Sequence, residues 1–175
     1  MQNSHFIFST PFGDAAVLYR EKPFSMIGTV LPRENIKKIM SAAEWGIPGS
    51  HKNARVISEH ICNYFKGKAI RIPWEWMDMG KITELEKYVL MIVAEIPYGE
   101  TRTYKAVAES IGRHRAYRFV GTTLAKNPFP ILIPCHRVIR SDLSVGKFGG
   151  GSELKQKMIE LEAESVDRKV LSGPV

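Results

Sequence analysis

The residues best suited to chemistry are a cysteine and a histidine that lie side by side, Cys135 and His136, inside the apolar run Ile131–Ile139. A thiol is a weak nucleophile until it loses its proton, and a neighbouring imidazole can take that proton directly or through a water. Neighbours on an extended strand point to opposite faces, but Pro134 can bend the chain so that both serve one pocket. The alternative is a small core cysteine, which is commoner.

Another candidate for chemistry is a carboxylate in the last helix, which we predict from Glu153 to Glu164. Three residues are candidates there, Glu160, Glu162 and Glu164, and their spacing alone does not rank them. A carboxylate on a helix is more often solvated than catalytic.

A basic stretch precedes and includes the cysteine. No Asp or Glu occurs between Ser110 and Ser141, while the stretch holds Arg113, Arg115, Arg118, Lys126, Arg137 and Arg140. The net charge of +7 also favours a polyanionic partner. An ordinary solvated basic face is the alternative interpretation.

Two short helices are predicted around Gly112, at Thr103–Ile111 and at residues 115–125. The second one begins with a basic cluster, so the pair resembles a helix-turn-helix, in which this part of the second helix contacts DNA. A surface helix with solubility charges is the alternative. A capping box, Thr83 with Glu86, begins an earlier helix.

The 175 residues allow one large domain or two small ones. We predict an α/β (α+β) chain, with a mixed domain over residues 1–78, a helical domain over 79–165 and a loose tail over 166–175. Strands are expected at Phe6–Phe8 and Ala15–Tyr19, which the turn signal Thr10–Asp14 joins as a hairpin, and at Ile27–Leu31, Ala69–Ile72 and Ile131–Ile133. Helices are expected at 33–44 and 53–66.

The composition predicts a globular protein of a reducing compartment. No apolar run approaches the roughly 20 residues that span a bilayer, and no secretory signal is evident. The chain has two cysteines and no Cys-x-x-Cys pair, so neither a disulfide framework nor a structural zinc site is expected.

Several motifs together resemble the O6-alkylguanine-DNA alkyltransferases, also called methylated-DNA–protein-cysteine methyltransferases. The resemblance is strongest over residues 82–164, and the first half matches only in general character. The motifs that carry it, in the family's order and spacing, are Ile96–Thr101, Arg118–Gly121, Asn127-Pro128, Ile133–Ile139 and Gly149-Gly150.

The resemblance implies a fold and a function. It implies a ribonuclease-H-like first domain and a winged-helix-like second domain with a helix-turn-helix. The implied activity is single-turnover DNA repair: an alkyl group moves from O6-alkylguanine, and from O4-alkylthymine, to Cys135 after the base is flipped out. A monomer would bind double-stranded DNA through the minor groove, without a cofactor or metal, in the cytoplasm, or in the nucleus of a eukaryote.

The resemblance also implies catalytic roles. Cys135 would be poised as a thiolate, His136 would relay its proton through a water, and Glu162 would orient the histidine. Tyr104 would donate a hydrogen bond to the guanine, and Asn127 would tie the DNA-binding turn to the cysteine loop.

Further roles concern DNA and the alkyl pocket. Arg118 would fill the gap left by the flipped base, and the other DNA contacts would be Tyr104, Lys105, Arg113 and Ser141. The carbonyls of Cys135 and Val138 would read the guanine amine. The pocket would be lined by Leu124, Pro130, Val138, Phe148 and Gly149. Many members carry Tyr-Ser where this chain has Phe148-Gly149, so one side-chain hydroxyl is lost.

Three alternatives remain open at this stage. A noncatalytic alkyl-damage sensor of the same fold is one, although Cys135 argues against it. A DNA-binding regulator and a multiple-turnover cysteine hydrolase are the others.

Overall fold

The computed structural model describes residues 2–42 and 45–172, and for residues 42 and 169–172 it describes the backbone only. The chain divides into two compact units. The first comprises Met1–Lys81 and Pro128–Leu132, and the second comprises Ile82–Asn127 and Ile133–Val175.

The first unit is built on a four-stranded sheet. Its strands are β1 (Asn3–Thr10), β2 (Gly13–Glu21), β3 (Phe24–Arg33) and β4 (Ile47–Pro48), in the order β3-β2-β1-β4. The first three pair antiparallel, whereas β4 pairs parallel with β1. The predicted hairpin is confirmed, and its turn contains Gly13 at a φ of 112°, a conformation that favours glycine. The short β4 was not predicted.

Two helices complete this unit, α1 (Ile36–Ala42) and α2 (Lys52–Phe65). They confirm the helices expected at 33–44 and 53–66, although the first begins only at Ile36, because Arg33 belongs to β3 and Asn35 has a φ of 56°. Residues 43–44 lie outside the described residues. Ile36 and Met40 of α1 form a buried cluster with Ala16 and Leu18 of β2. On α2 the buried face includes Ile57, Ile61 and Tyr64, which recur at helical spacing.

The strand predicted at Ala69–Ile72 is wrong. This run has no regular structure, because it gains no ladder of hydrogen bonds from a neighbouring strand. The chain meets the sheet further on, where Met77 bridges Met26 and the Asp78 amide donates to the Met26 carbonyl at 2.8 Å. A 3-10 turn, Trp74–Trp76, lies between.

The strand predicted at Ile131–Ile133 is also wrong. Ile131 has a φ of 76°, which is incompatible with an extended strand. The segment Pro128–Leu132 instead packs on β3, whose Thr29 donates from its amide to the Pro128 carbonyl and from its hydroxyl to the Pro130 carbonyl, each at 2.8 Å. A Cβ at Gly28 would lie 3.0 Å from the Pro128 oxygen, so this approach favours glycine.

The second unit is mainly helical. Its elements are α3 (Glu84–Ala94), β5 (Arg102–Thr103), α4 (Tyr104–Ser110), α5 (Tyr117–Ala125), β6 (Val138–Ile139) and α6 (Ser152–Ser172). The predicted capping box is confirmed, since Thr83 and Glu86 exchange both hydrogen bonds at the start of α3. The two helices around Gly112 are confirmed with slightly shorter bounds, and β5 pairs parallel with β6.

The last helix is longer than predicted, since α6 continues to Ser172 rather than ending at Glu164. Ser165 is buried, and Val166 lies so close to Gly99 that a Cβ there would be 2.6 Å from it. This packing extends the helix, so the loose tail predicted at 166–175 is wrong for 166–172. Residues 173–175 lie outside the described residues. Within the described part of the chain, no helix is long and apolar enough to cross a membrane.

Candidate active site

A 3-10 turn, Cys135–Arg137, presents the reactive side chains. The Cys135 amide donates to the Ile133 carbonyl at 2.8 Å, and the Arg137 amide donates to the Pro134 carbonyl at 2.9 Å. Because the backbone is turned here, Cys135 and His136 are not held on opposite faces of a strand. All three side chains of the turn are buried, with His136 fully so.

Glu162 of α6 is the carboxylate that meets this turn. Its Oε1 lies 2.6 Å from His136 Nε2, and its Oε2 accepts the Gly99 amide at 2.8 Å. Arg137 adds two charge-assisted bonds, from Nε to Oε2 at 2.8 Å and from Nη2 to Oε1 at 3.1 Å. The other two candidates, Glu160 and Glu164, are exposed. The structure therefore selects one of three carboxylates that spacing left equal.

The protonation of this pair follows from its surroundings. Burial alone would raise the pKa of Glu162, but the hydrogen bonds from His136 and Arg137 and the charge of Arg137 outweigh it and lower the pKa to about 2. An ionised carboxylate only accepts, so His136 Nε2 carries the hydrogen. Burial lowers the pKa of His136, with Arg137 and Lys155 acting in the same direction. The imidazole is therefore neutral, and its Nδ1 can accept a proton.

The thiol of Cys135 is protonated at rest. Burial raises its pKa above 9.0, although a hydrogen bond from the Asn127 side chain and the charge of Lys155 act in the opposite direction. Asn127 Nδ2 also donates to the Ile133 carbonyl at 3.0 Å, so this side chain braces the turn. Because a buried anion is desolvated, these surroundings favour the neutral thiol over the poised thiolate that the resemblance implies. The proton must leave during the reaction.

Lys155 is a site residue that sequence reasoning missed. It is fully buried on α6, its Nζ donates to the Val138 carbonyl at 2.6 Å, and it lies 5.6 Å from the ring centre of Tyr104. Burial lowers its pKa to about 8. A signal was present, because Lys155, Met158 and Glu162 recur at helical spacing on one face.

Arg137 was also missed, because it was counted with the basic stretch. Besides its two bonds to Glu162, its Nη1 donates to the Ile96 carbonyl at 2.7 Å, and its guanidinium lies 5.4 Å from the Tyr98 ring centre. Its place beside His136 in the sequence was the available signal. The exposed basic side chains of the stretch are therefore Arg113, Arg115, Arg118, Lys126 and Arg140.

Tyr104 begins α4 and is half-buried. Burial raises the pKa of its hydroxyl, and the nearby Cys135 sulfur acts in the same direction. The phenol therefore stays protonated and can donate a hydrogen bond. This property suits the donor role predicted for it.

The predicted DNA contacts other than Tyr104 are exposed. Arg113 lies in the connection between α4 and α5, Arg118 in the first turn of α5, Lys105 on α4 and Ser141 in the loop after β6. Lys105 Nζ lies 3.9 Å from Glu109, a weak surface pair. Exposure is compatible with DNA binding, but the roles stay predictions.

The predicted pocket residues are in different surroundings. Leu124 and Val138 are buried in the second unit, Phe148 is half-buried and Gly149 is exposed. Pro130 belongs to the first unit, where it meets Thr29. Their pocket roles stay predictions. Among residues 2–42 and 45–172, no three or more His, Cys, Asp or Glu side chains lie together as a metal site would need.

Comparisons with known proteins agree with this chemistry. A family model, "6-O-methylguanine DNA methyltransferase, DNA binding domain", matches residues 84–164. A methylated-DNA–protein-cysteine methyltransferase of Methanosarcina barkeri is 35% identical over 160 residues, which are 91% of this chain and 97% of that protein. A protein of the same name from Mycobacterium leprae is 39% identical over 120 residues, covering 69% of this chain and 71% of its own length.

Solved structures give the same result. The OGT protein of Mycobacterium tuberculosis in complex with DNA is 25% identical and superposes with a TM-score of 0.76, covering 93% of this chain and 94% of its own. The O6-methylguanine-DNA methyltransferase of Pyrococcus kodakaraensis, 21% identical with a TM-score of 0.67 over 91% of this chain and 98% of its own, shares the fold. The predicted α/β fold class is confirmed, and the chain belongs to the family of methylated-DNA–protein-cysteine methyltransferases.

Proposed function

We propose that this protein repairs DNA by transferring the alkyl group of O6-alkylguanine to Cys135, once per molecule. The observation that carries the proposal is the buried series Cys135, His136 and Glu162, in which the last two are joined at 2.6 Å, inside a chain of this family. The arrangement of nucleophile, base and orienting carboxylate is suited to activating a thiol.

The transfer is a single displacement. The Cys135 sulfur attacks the alkyl carbon, the bond from that carbon to the guanine oxygen breaks, and a thioether forms. The thiol proton passes to His136 Nδ1, through a water if the two are not in contact. The departing guanine takes a proton from the Tyr104 hydroxyl, which is restored by the proton held on His136. No step regenerates the thiol, so each molecule reacts once.

The surrounding charges favour the transition state more than the resting state. At rest the thiol is neutral. The Lys155 ammonium is partly desolvated, as its lowered pKa of about 8 indicates. As negative charge develops on sulfur, this cation and the Asn127 amide stabilise it. The free-energy cost of burying a thiolate therefore does not arise until the substrate is bound.

DNA binding is proposed to place the damaged base beside this thiol. A monomer would bind duplex DNA through the minor groove, flip out O6-alkylguanine or O4-alkylthymine, and fill the gap with Arg118. Lys105, Arg113 and Ser141 would contact the backbone, and the exposed cations of this region support that assignment. The compartment follows the substrate: the cytoplasm, or the nucleus in a eukaryote.

We propose that backbone groups near Cys135 recognise the base through hydrogen bonds. The carbonyls of Cys135 and Val138 would accept the guanine amine, and the Gly149 amide would donate to the guanine oxygen. The Val138 carbonyl already accepts Lys155, so one lone pair remains for the base. Leu124 and Phe148 would line the space for the alkyl group. We propose that the chain folds as two domains, residues 1–78 and 79–165, and that the second domain carries out most of this chemistry.

Intact mass after incubation with a duplex that contains O6-methylguanine tests the proposal. We expect a gain of about 14 Da, one methylene, on the peptide that holds Cys135 and none in Cys135→Ala. Cys62→Ser, which removes the other cysteine, is the matched control and should gain the same mass. Tight binding without a mass gain would indicate a damage sensor or regulator. Many turnovers without an adduct would indicate a hydrolase.

A further inference from the structure

A tight turn after β6 presents an apolar side chain, Leu143, at the surface. The Arg140 amide donates to the Ser144 carbonyl at 2.9 Å, and the Leu143 amide donates to the Arg140 carbonyl at 3.0 Å. Asp142 Oδ1 accepts both the amide and the hydroxyl of Ser144, at 3.0 and 2.7 Å. These bonds fix the backbone on both sides of Leu143, so the side chain projects from a defined position.

Neither the local backbone nor the core explains a leucine here. Leu143 has a φ of 65°, a left-handed conformation in which residues with a Cβ are disfavoured and glycine or asparagine is preferred. Its side chain is 74% exposed, the largest value for a large apolar residue in the described part of the chain. Stability alone would favour glycine at this position, so the leucine is explained better by a contact that forms outside the free protein.

The turn lies beside the proposed active site. A Cβ built on Gly146 would be 3.5 Å from the Tyr104 hydroxyl and 3.5 Å from Arg140 Nε, so this loop borders the phenol that donates to the guanine. Exposed cations, Arg140 and Lys147, flank the leucine in sequence. One anion, Asp142, also lies in the turn, and the hydrogen bonds from Ser144 lower its pKa and keep it ionised. The two cations outnumber this anion, so the local charge suits a phosphate backbone.

We propose that Leu143 packs against the apolar C–H face of a deoxyribose in the duplex, close to the flipped nucleotide. The inference rests on the proposed function. Arg140 would contact the adjacent phosphate, and the fixed turn would set the distance between the two contacts. Such a contact exists only with a duplex, so it raises the rate of repair in DNA and leaves the chemistry at Cys135 untouched. Leu143 is thus a positioning residue for DNA.

The test compares single-turnover rates of Leu143→Gly and the unchanged protein on two substrates, a duplex with O6-methylguanine and free O6-benzylguanine. With subsaturating duplex we expect a loss of about tenfold, the scale expected for an apolar side chain of which a part is buried. With the free base we expect rates within about twofold. Leu143→Met, which keeps an apolar side chain of similar length, should recover most of the duplex rate.

Controls separate this role from folding. Glycine relieves the strain of the left-handed conformation but increases the conformational entropy of the unfolded chain. Because these effects oppose each other, the Tm of Leu143→Gly should stay within about 3 °C of the parent. Met91→Ala removes another exposed apolar side chain, from α3, and should leave both rates unchanged.

The outcomes are distinct for the two proposals. An equal duplex rate for Leu143→Gly and its parent, or an equal loss on both substrates, would overturn the role of Leu143 while the proposed function stands. A change in sedimentation of the free protein, without a change in the duplex rate, would assign Leu143 to self-association and also overturn it. Absence of transfer by the unchanged protein on either substrate would instead reject the proposed function.

Discussion

Arg137 and Glu162 form a bidentate ion pair inside the second unit, with Nε to Oε2 at 2.8 Å and Nη2 to Oε1 at 3.1 Å. The same carboxylate accepts from His136, so one side chain neutralises a buried guanidinium and orients a buried imidazole. A structural and a chemical role are thus joined in Glu162, and its substitution should affect both stability and transfer.

Glu162→Gln should therefore lower both quantities. The variant leaves the Arg137 guanidinium buried without a counter-charge, which costs about 3 to 5 kcal/mol of unfolding free energy. It also removes the charge that stabilises a protonated His136, so alkyl transfer to free O6-benzylguanine should slow by at least about tenfold. Denaturant unfolding and single-turnover rates measure the two effects. Glu160→Gln, an exposed neighbour on α6, should change neither, and equal effects of both variants would contradict the assignment.

The pH dependence of stability has a definite sign here. The folded pKa of Glu162, about 2, lies below its ordinary 4.5, so its contribution is fully present above 4.5. That contribution should disappear as the pH falls from 4.5 towards 2, and the Glu162→Gln variant should lack this part of the acid transition. Unfolding followed by circular dichroism across this range checks the expectation, and parallel curves for both proteins would refute it.

Local patterns in the sequence predicted much of this molecule. The capping box of Thr83 and Glu86, the hairpin with Gly13 and the two helices around Gly112 each depend on residues a few positions apart, so their signals are contained in a short window. The family resemblance added the candidate site residues. Local signals failed where a distant contact decided the structure.

Four cases show such tertiary effects. The apolar run Ile131–Ile133 predicts a strand. The Thr29 hydroxyl, about a hundred residues away, instead donates to the Pro130 carbonyl, and the segment forms an irregular turn. The choice of Glu162 among three glutamates depends on Arg137 and Gly99, which lie on other elements. The end of α6 depends on Gly99 as well, against which Val166 packs. Burial of Cys135, which favours the neutral thiol over the expected thiolate, is likewise a tertiary effect.

The thiol of Cys135 should ionise above the ordinary value of 9.0, because its pKa is raised by burial. In a Cys62→Ser background this thiol titrates alone, and its ultraviolet thiolate absorbance gives the midpoint. Asn127→Ala removes a hydrogen bond that favours the anion, so the midpoint should move further up. A midpoint well below 9 would contradict the neutral resting thiol. The stability contribution of the protonated group should be present below pH 9 and be lost as the pH rises through the folded pKa.

Lys155 should make the protein more stable as the pH rises above about 8. Its folded pKa is about 8 and its ordinary value is 10.5, so between these values the unfolded chain binds more protons. The unfolding free energy of the parent minus that of Lys155→Met should therefore increase by about 3 kcal/mol from pH 7.5 to 10.5. Lys157→Met, an exposed neighbour, serves as the control. A free-energy difference that does not change with pH would show that burial does not lower the pKa of Lys155.

DNA affinity should fall steeply with salt, because the exposed cations of the basic stretch neutralise phosphates. Four neutralised phosphates give a slope of about −3.6 in log affinity against log salt. Arg113→Gln should reduce the magnitude of that slope by about 0.9, whatever the DNA sequence. Arg71→Gln, which alters an exposed arginine of the first unit, should not. Fluorescence anisotropy at several salt concentrations measures the slopes, and equal slopes for all three proteins would exclude Arg113 from phosphate contact.

Arg118 is exposed in the first turn of α5, and its proposed role is to occupy the space that the flipped base leaves in the duplex. Arg118→Ala should slow transfer from duplex O6-methylguanine by at least about tenfold, because an unfilled gap favours return of the base to the stack. Free O6-benzylguanine needs no flipping and should react at the parental rate. Arg118→Lys keeps the charge but loses the planar guanidinium that stacks between bases, so it should recover affinity for DNA without recovering the full duplex rate. Full recovery by lysine would reduce the role of Arg118 to phosphate binding, and equal slowing on both substrates would place it in the chemistry instead.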